Sequence, residues 1–379
     1  MGRSNVIKEI YWLRAIACLA VVLTHSITTT LSHYVDTMSQ AEEYLLIALR
    51  FIFLFGTPTF VFISEFLLSY SYANGVPKGF FVKRIKFLLV PFIFMGVVFA
   101  TITREIGGSF INQVALNLFM GGYTGYFVLV IFQFYLLHML MEKRLKVWSP
   151  RLVLVGSFVI NVAYLSFFHF TTPPASGLGE YFWQRGHWLP VFGWLFYFTV
   201  GYYSGKHYRT IIEKLKPYKQ YVYVLPFLIT VPIFGLVRTD ILSVVSSKRI
   251  DYVLFTTAVI AFILLLASQV NKTPSLILII SKYSFNIYLL HTVFLHFMPQ
   301  INLIHPFLYL IIATVACIGL SILVVKLTSI LPFRSYLFGK TLPVPLNTRS
   351  PLDWRKQEQV SGPLNYLNAL KRSVWNPRR

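Results

Sequence analysis

Ten long apolar stretches constrain what this chain can fold into. Each has about the 20 mostly apolar residues that a helix needs to cross a bilayer. Of the 379 residues, 56% are hydrophobic and only 12% are charged, whereas soluble proteins carry about 25% charged residues. The chain is therefore predicted to be an all-α polytopic transmembrane helix bundle of about ten spans. The predicted spans are 10–30, 44–72, 87–103, 123–141, 152–170, 188–205, 221–237, 252–270, 275–298 and 306–331.

The distribution of basic residues predicts how these spans are oriented. With the N-terminus in the cytoplasm, the inner segments carry 25 Lys and Arg residues and the outer segments carry 5. Because Lys and Arg accumulate in cytoplasmic loops, both termini are predicted to be cytoplasmic, with an even number of spans. The net charge of +21 has the same explanation. No nucleic-acid recognition module accompanies it, so we expect no nucleic-acid partner.

The two ends of the chain are predicted to differ. The first apolar run is long and no small-residue cleavage site follows it, which favours a retained helix over a signal peptide. Residues 1–331 form the predicted transmembrane domain. Residues 332–379 are basic and rich in Pro and Asn, so we expect a cytoplasmic tail, partly disordered and in contact with anionic lipid.

Several ionisable residues lie inside the predicted spans. Such a residue costs roughly 2.5–3.5 kcal/mol to insert and usually has a task or a partner. Arg14 and His25 share one face of the first span and lie roughly 16 Å apart along its axis. Counting depth along each span predicts two layers, which suggest a path across the membrane. The inner layer comprises Arg14, Glu65 and Lys282, and the outer layer comprises His25, Arg50 and His291.

Simpler interpretations of these residues stay open. Arg14 or Lys282 could merely neutralise Glu65, Arg14 could extend its charge to the interface, and His25 could be a neutral side chain bonded to a carbonyl. We expect His138 at the membrane interface. No metal and no bound cofactor are expected, because the sequence lacks zinc-ligand spacing, a Gly-rich phosphate loop and a Gly-x-Ser-x-Gly turn.

Three local patterns, in order along the chain, resemble the acyltransferase-3 family of membrane acyltransferases. The first is the pair Arg14 and His25, which is similar to that family's Arg-x10-His signature. The second is FVFISEFLL at 60–68 followed by the basic FVKRIK at 81–86, similar to the second-span Ser-Gly-Phe element and the loop after it. The third is SKYSFNIYLLH at 281–291, which resembles the late Ser-Tyr-x-x-Tyr-Leu-x-His element.

One departure from the family pattern indicates a branch. Glu65 stands where most members have Gly, and together with Gly56-Thr57-Pro58, YTGYF at 123–127 and Phe192-Gly193-Trp194 it resembles the intercellular adhesion protein C branch. That resemblance implies a bacterial plasma membrane protein that acts on a surface glycan such as poly-β-1,6-N-acetylglucosamine. The branch has been viewed both as an exporter and as an O-succinyltransferase.

The resemblance implies transfer of an acyl group, acetyl or succinyl, from cytoplasmic acyl-CoA to a sugar hydroxyl outside the cell. His25 would act as general base or transient acyl carrier. Arg14 would contact the donor, and the basic loop would attract the polyanionic coenzyme. The predicted catalytic residues are His25, Arg14, Glu65 and His291, and the predicted substrate-binding residues are Lys83, Arg84, Lys86, Lys282, Tyr288 and Tyr126.

Two other functions are compatible with the same residues. In an exporter of the polysaccharide, the two layers would line a translocation path, and a broken helix would be expected near the middle of the membrane. Gly56-Thr57-Pro58 is the one candidate for such a break. If the protein were a scaffold for a glycan synthase, the polar layers would have no chemical role. A glycan synthase is also expected as a partner if the protein is the enzyme.

Overall fold

In a computed structural model, the chain is described over residues 7–72, 75–103, 108–301 and 303–344, and these residues form helices and no strands. This confirms the predicted all-α fold. The α-helices are α1 Lys8–His33, α2 Gln40–Phe53, α3 Gly56–Ser71, α4 Phe80–Arg84, α5 Val90–Thr103, α6 Phe110–Phe119, α7 Phe127–Val147, α8 Pro150–Phe170, α9 Gly177–Gly186, α10 Leu195–Lys206, α11 Tyr208–Leu215, α12 Lys219–Arg238, α13 Tyr252–Gln269, α14 Ser275–His296, α15 Pro306–Leu327 and α16 Arg334–Leu337.

Nine helical segments in the described residues are long and apolar enough to cross a membrane. The predicted span that does not reach this length is 188–205. There the chain forms a 3₁₀ turn, Val191–Trp194, followed by the 12-residue α10, which alone reaches only about 18 Å. Most of α10 is buried against other helices, so neighbouring helices and not lipid surround it. The orientation of the termini stays a prediction.

Glycines let α10 lie unusually close to α3. A Cβ atom at Gly201 would lie 2.8 Å from the carbonyl oxygen of Phe62, and one at Gly205 would meet the carbonyl of Phe66 even more closely. Small residues four apart are the usual device for close helix approach in membranes. The Ser69 hydroxyl adds a hydrogen bond of 2.7 Å to the carbonyl of Tyr202. This packing fixes the position of α3 in the bundle.

Helix α1 lies at the centre of the bundle, in contact with α2, α3, α13, α14 and α15. Small residues along it are fully or almost fully buried, including Ala15, Ala17 and Ala20. Gly56, at the start of α3, lies against the Ala17 carbonyl, where a Cβ atom would be 2.8 Å away. The first predicted span therefore contacts both the second span, which contains α2 and α3, and the ninth, which corresponds to α14.

Two of the predicted spans contain irregular backbone. Span two breaks at Leu54 and Phe55, directly before Gly56, so it consists of α2 and α3. Between α4 and α5 the residues Ile85–Leu89 form a π-helical turn next to Pro91. Such turns occur frequently at functional sites, and both irregularities lie beside the cavities described below.

The beginning of the predicted tail packs against the bundle. The side-chain amide of Asn286 donates to the carbonyls of Phe338 and Gly339, at 2.6 and 3.1 Å. The backbone N–H of Leu342 donates to the carbonyl of Lys282. Residues 345–379, where most of the tail prediction falls, lie outside the described residues.

Candidate functional site

His25 lines a cavity of about 230 Å³ between α1, α2, the start of α7 and the loop before α13. We call this the His25 cavity. Its walls carry many hydroxyl groups, which suit hydrogen bonding to a hydroxyl-rich ligand. The hydroxyl side chains are those of Thr24, Thr57, Thr124, Ser246 and Ser247. Tyr126, predicted to bind substrate, also lines this cavity.

A second histidine lies next to His25. The ring centroids of His25 and His291 are 5.2 Å apart, with an angle of 56° between the ring planes. His291 is fully buried, and its Nδ1 lies 3.0 and 2.8 Å from the carbonyl oxygens of Ile287 and Tyr288. Because carbonyl oxygens only accept, Nδ1 carries a proton, and Nε2 remains without a hydrogen-bond partner. The two predicted outer-layer histidines are therefore brought together.

Two cationic side chains also line the His25 cavity. Arg50 comes from the last turn of α2, and Lys248 comes from the loop between α12 and α13. The Lys248 ammonium lies 5.5 Å from the ring centroids of Tyr126 and Trp188, a cation–π distance. Arg50 was predicted in the outer layer. Lys248 was not predicted, because it lies in a loop outside the predicted spans.

The loop that carries Lys248 is anchored by a buried ion pair. Arg249 is fully buried, and its guanidinium meets the Asp251 carboxylate at 3.0 and 2.5 Å. It also donates to the carbonyl of Leu242. A bidentate pair of this kind fixes geometry as well as charge. The adjacent run Ser246-Ser247-Lys248 lines this part of the cavity.

Arg14 lines a different cavity, of about 190 Å³, which we call the Arg14 cavity. Arg84 from the end of α4 also lines it, held over the rings of Phe80 and Tyr135 at 4.8 and 5.3 Å. The remaining wall is largely apolar and includes Phe60, Ile63, Leu67, Leu88, Val128 and Ile131. Two cations in a narrow apolar cavity suit an amphipathic chain that ends in phosphates.

Phe127 and Tyr288 line both cavities. Their ring centroids are 6.4 Å apart, and the Tyr288 hydroxyl donates to the carbonyl of Thr124 at 2.5 Å. The Tyr123 hydroxyl donates to the carbonyl of Leu289, so two tyrosines connect α14 to the residues that begin α7. These two aromatic side chains form the partition between the Arg14 cavity and the His25 cavity.

The predicted basic donor site is only partly assembled. Arg84 lines the Arg14 cavity, whereas Lys83 and Lys86 are exposed and do not. Lys282 is half-buried near the ring of Tyr283, at 5.4 Å, and lines neither cavity. Along the helical segment around Arg84, only the side chains on one face can reach the cavity.

Glu65 pairs with a residue that no sequence pattern linked to it. Its Oε1 lies 2.6 Å from Nδ1 of His138, and the two side chains are 0% and 1% exposed. The suggestion that Arg14 or Lys282 neutralises Glu65 was therefore wrong, whereas the depth of His138 in the membrane stays a prediction. Ser64 faces the Arg14 cavity, and its neighbour Glu65 does not. Instead, His138 lines a separate cleft of about 390 Å³ near the junction of α10 and α11.

In the described parts of the chain, no group of three or more His, Cys, Asp or Glu side chains is arranged to hold a metal ion. Cys18 and Cys317 are buried and unpaired by disulfide. The polar side chains that line the two cavities carry imidazole, guanidinium, ammonium and hydroxyl groups.

Comparison with known proteins identifies the family. A family model described as an acyltransferase domain, that of acyltransferase-3, matches residues 7–326, which include Arg14, His25 and His291. The chain belongs to the acyltransferase-3 family. It is thus an acyltransferase and a multi-pass membrane protein, as the sequence patterns predicted.

Curated relatives fall into two groups by name. A Bacillus subtilis protein, YfiQ, named as a membrane-bound acyltransferase, is 40% identical over 76% of this chain and 81% of its own length. A Staphylococcus aureus protein named as a poly-β-1,6-N-acetyl-D-glucosamine export protein is 30% identical over 76% of this chain and 82% of its own length. A Staphylococcus epidermidis protein with the same name is 28% identical. No solved structure matches the chain.

Proposed function

We propose that this acyltransferase moves an acetyl or succinyl group from acyl-CoA in the Arg14 cavity to a hydroxyl of a cell-surface polysaccharide in the His25 cavity. The observation that carries the proposal is the shared partition, since Phe127 and Tyr288 line both cavities. A thioester that enters past Arg14 reaches the hydroxyl-lined cavity once these two side chains move aside. Poly-N-acetylglucosamine is a suitable acceptor by analogy with the Staphylococcus aureus relative.

Each cavity matches one reactant. The two arginines of the Arg14 cavity offer planar donors to the phosphates or the carbonyl of the donor, and the apolar wall fits its pantetheine arm. In the His25 cavity, hydroxyl side chains and the Tyr126 ring suit a sugar. Lys83 and Lys86, on the exposed surface beside Arg84, supply long-range attraction for the coenzyme.

The reaction needs one base and no external proton donor. His25 accepts the proton of the sugar hydroxyl as its oxygen attacks the thioester carbonyl. The carbon–sulfur bond then breaks, and the departing thiolate takes the proton back from His25, which yields an ester and free coenzyme A. His291 lies beside His25 with its Nδ1 bound to carbonyls, so it serves as a positioning residue in this scheme.

The test compares His25→Asn with the wild type in cells, measuring O-acyl groups on the extracellular glycan and the amount of glycan outside. We expect O-acyl groups to disappear and glycan to remain outside. His296→Asn is the matched control, because His296 lies on the neighbouring α14 but is exposed; it should behave as wild type. Unchanged acylation in His25→Asn would refute the proposed role.

Export of the polysaccharide is the second candidate function. The break between α2 and α3 lies where a transporter would have a discontinuous helix, and Thr57 beside it lines the His25 cavity. In that case His25→Asn would reduce glycan outside the cell, and the wild-type glycan would carry no O-acyl groups. A scaffold for a glycan synthase would instead tolerate substitutions at both His25 and Arg14.

The proposed setting is the plasma membrane of a bacterium, consistent with the bacterial relatives. A glycan synthase that delivers the acceptor is proposed as a partner. Nucleic acid is not proposed as a partner, because the preference of Lys and Arg for cytoplasmic loops of a membrane protein accounts for the basic residues.

A further inference from the structure

The His25 cavity contains more positive charge than its walls neutralise. Arg50 and Lys248 both line it, and none of its lining residues is acidic. Neither side chain forms an ion pair among the described residues. The nearby acidic residue of the same loop, Asp251, is already bound on both oxygens by Arg249.

The protein partners of these two cations leave their charge uncompensated. Arg50 lies in the last turn of α2, where the helix dipole is favourable, but its Nε is buried without any hydrogen-bond partner. Lys248 contacts aromatic rings at 5.5 Å or more, which orients an ammonium but does not neutralise it. Charged groups removed from water are normally paired, and the buried Nε of Arg50 is not, so the missing counter-charge points to a ligand.

We propose that Arg50 and Lys248 form a recognition site for a carboxylate group on the substrate that occupies the His25 cavity. This inference rests on the proposed function and specifies its substrate class. The anion is either the free carboxylate of a dicarboxylic acyl group or an acidic group on the acceptor sugar next to the reacting hydroxyl. In either case it takes no part in the bonds that form and break.

The size of the cavity limits where this anion can lie. A cavity of about 230 Å³ that contains both cations and His25 is small enough that an anion held by the cations lies near the imidazole. A negative charge held there lies on the substrate close to the reacting atoms and not on a distant part of a polymer. A polymer of glucosamine with free amino groups would be repelled by the same two cations.

The experiment uses the full chain, purified in detergent micelles so that both cavities are accessible. The donors are acetyl-CoA and succinyl-CoA, which share the phosphates and differ in the carboxylate of the acyl group. The acceptors are neutral oligosaccharides of N-acetylglucosamine and oligosaccharides in which it alternates with glucuronate. Mass spectrometry measures acylated product, and KM and kcat are determined for each pair.

The informative variants are Lys248→Gln and Arg50→Gln, with Lys248→Arg as the variant that retains the charge. Arg238→Gln is the matched control, because Arg238 is an exposed cation at the end of α12 and lines neither cavity. Thermal unfolding of each purified variant verifies folding.

We expect wild type to prefer one anionic substrate over its neutral counterpart. Each glutamine variant should raise KM for that substrate about tenfold, the loss of one charge-assisted contact, with the neutral substrate little changed. Lys248→Arg and Arg238→Gln should retain the preference. A preference for succinyl-CoA would place the anion on the acyl group, and a preference for the glucuronate acceptor would place it on the sugar.

Equal use of neutral and anionic substrates by wild type would overturn the anion site while leaving acyl transfer intact. So would a preference that survives in both glutamine variants. If wild type transfers no acyl group from either donor to any acceptor, the proposed function itself fails, and the anion site fails with it.

Discussion

The pair of Glu65 and His138 is expected to stabilise the fold without taking part in acyl transfer. The contact is 2.6 Å long between side chains that are 0% and 1% exposed, and it joins α3 to α7. Neither residue lines the Arg14 cavity or the His25 cavity. Substitution at Glu65 should therefore change stability and leave the specific activity of the folded protein near that of wild type.

The magnitude follows from burial. Glu65→Leu leaves the buried His138 ring without its partner, which costs about 1–3 kcal/mol in free energy of unfolding. Glu65→Gln keeps an oxygen that can accept a hydrogen bond from Nδ1 of His138, so this substitution should lower the free energy of unfolding by less. Replacing both residues, as in Glu65→Leu with His138→Phe, removes the unpaired group. The double-mutant cycle should therefore give a coupling energy of about 1–2 kcal/mol, near the upper end of the couplings measured between membrane helices.

The assay is reversible unfolding of the purified protein in detergent, combined with acyl transfer per folded molecule. Additive effects of the two single substitutions would refute the energetic coupling. Loss of transfer in Glu65→Gln with unchanged unfolding would refute the structural assignment and restore Glu65 to the catalytic residues predicted from sequence.

Two further substitutions test the packing and the donor site. Gly201→Leu introduces a side chain where even a Cβ atom would lie 2.8 Å from an α3 carbonyl. We therefore expect the thermal unfolding temperature and the yield of folded protein to fall. Gly235 has open space around it, so Gly235→Leu should leave both quantities near wild type. Arg84→Gln should raise the KM for acyl-CoA about tenfold because its guanidinium lines the Arg14 cavity. Lys83 is one residue away but exposed, so Lys83→Gln should change the KM for acyl-CoA little at moderate ionic strength. Equal effects of Arg84→Gln and Lys83→Gln on this KM would contradict the proposed donor site.

The sequence alone determined the class of fold and the place of the principal residues within it. Apolar stretches of about 20 residues leave helices as the way to satisfy the backbone in hydrocarbon, and the described residues are helical accordingly. The spacing of Arg14 and His25 placed them on one face, because the directions of side chains along a single helix follow from their spacing in the sequence. The break before Gly56 was also visible in the sequence, as a Gly-Thr-Pro element inside an apolar run.

Only the tertiary structure decided which side chains meet. Glu65 and His138 are 73 residues apart and belong to helices whose relative rotation depends on packing, so depth counting alone could not identify this partner of Glu65. Lys248 reaches the His25 cavity because Arg249 and Asp251 anchor its loop in the protein, which no periodicity predicts. The span 188–205 contains a short helix, α10, and Gly201 and Gly205 let this helix pack tightly on α3. Local spacing is set by backbone geometry, whereas contacts between helices are set by the shapes of their packed surfaces.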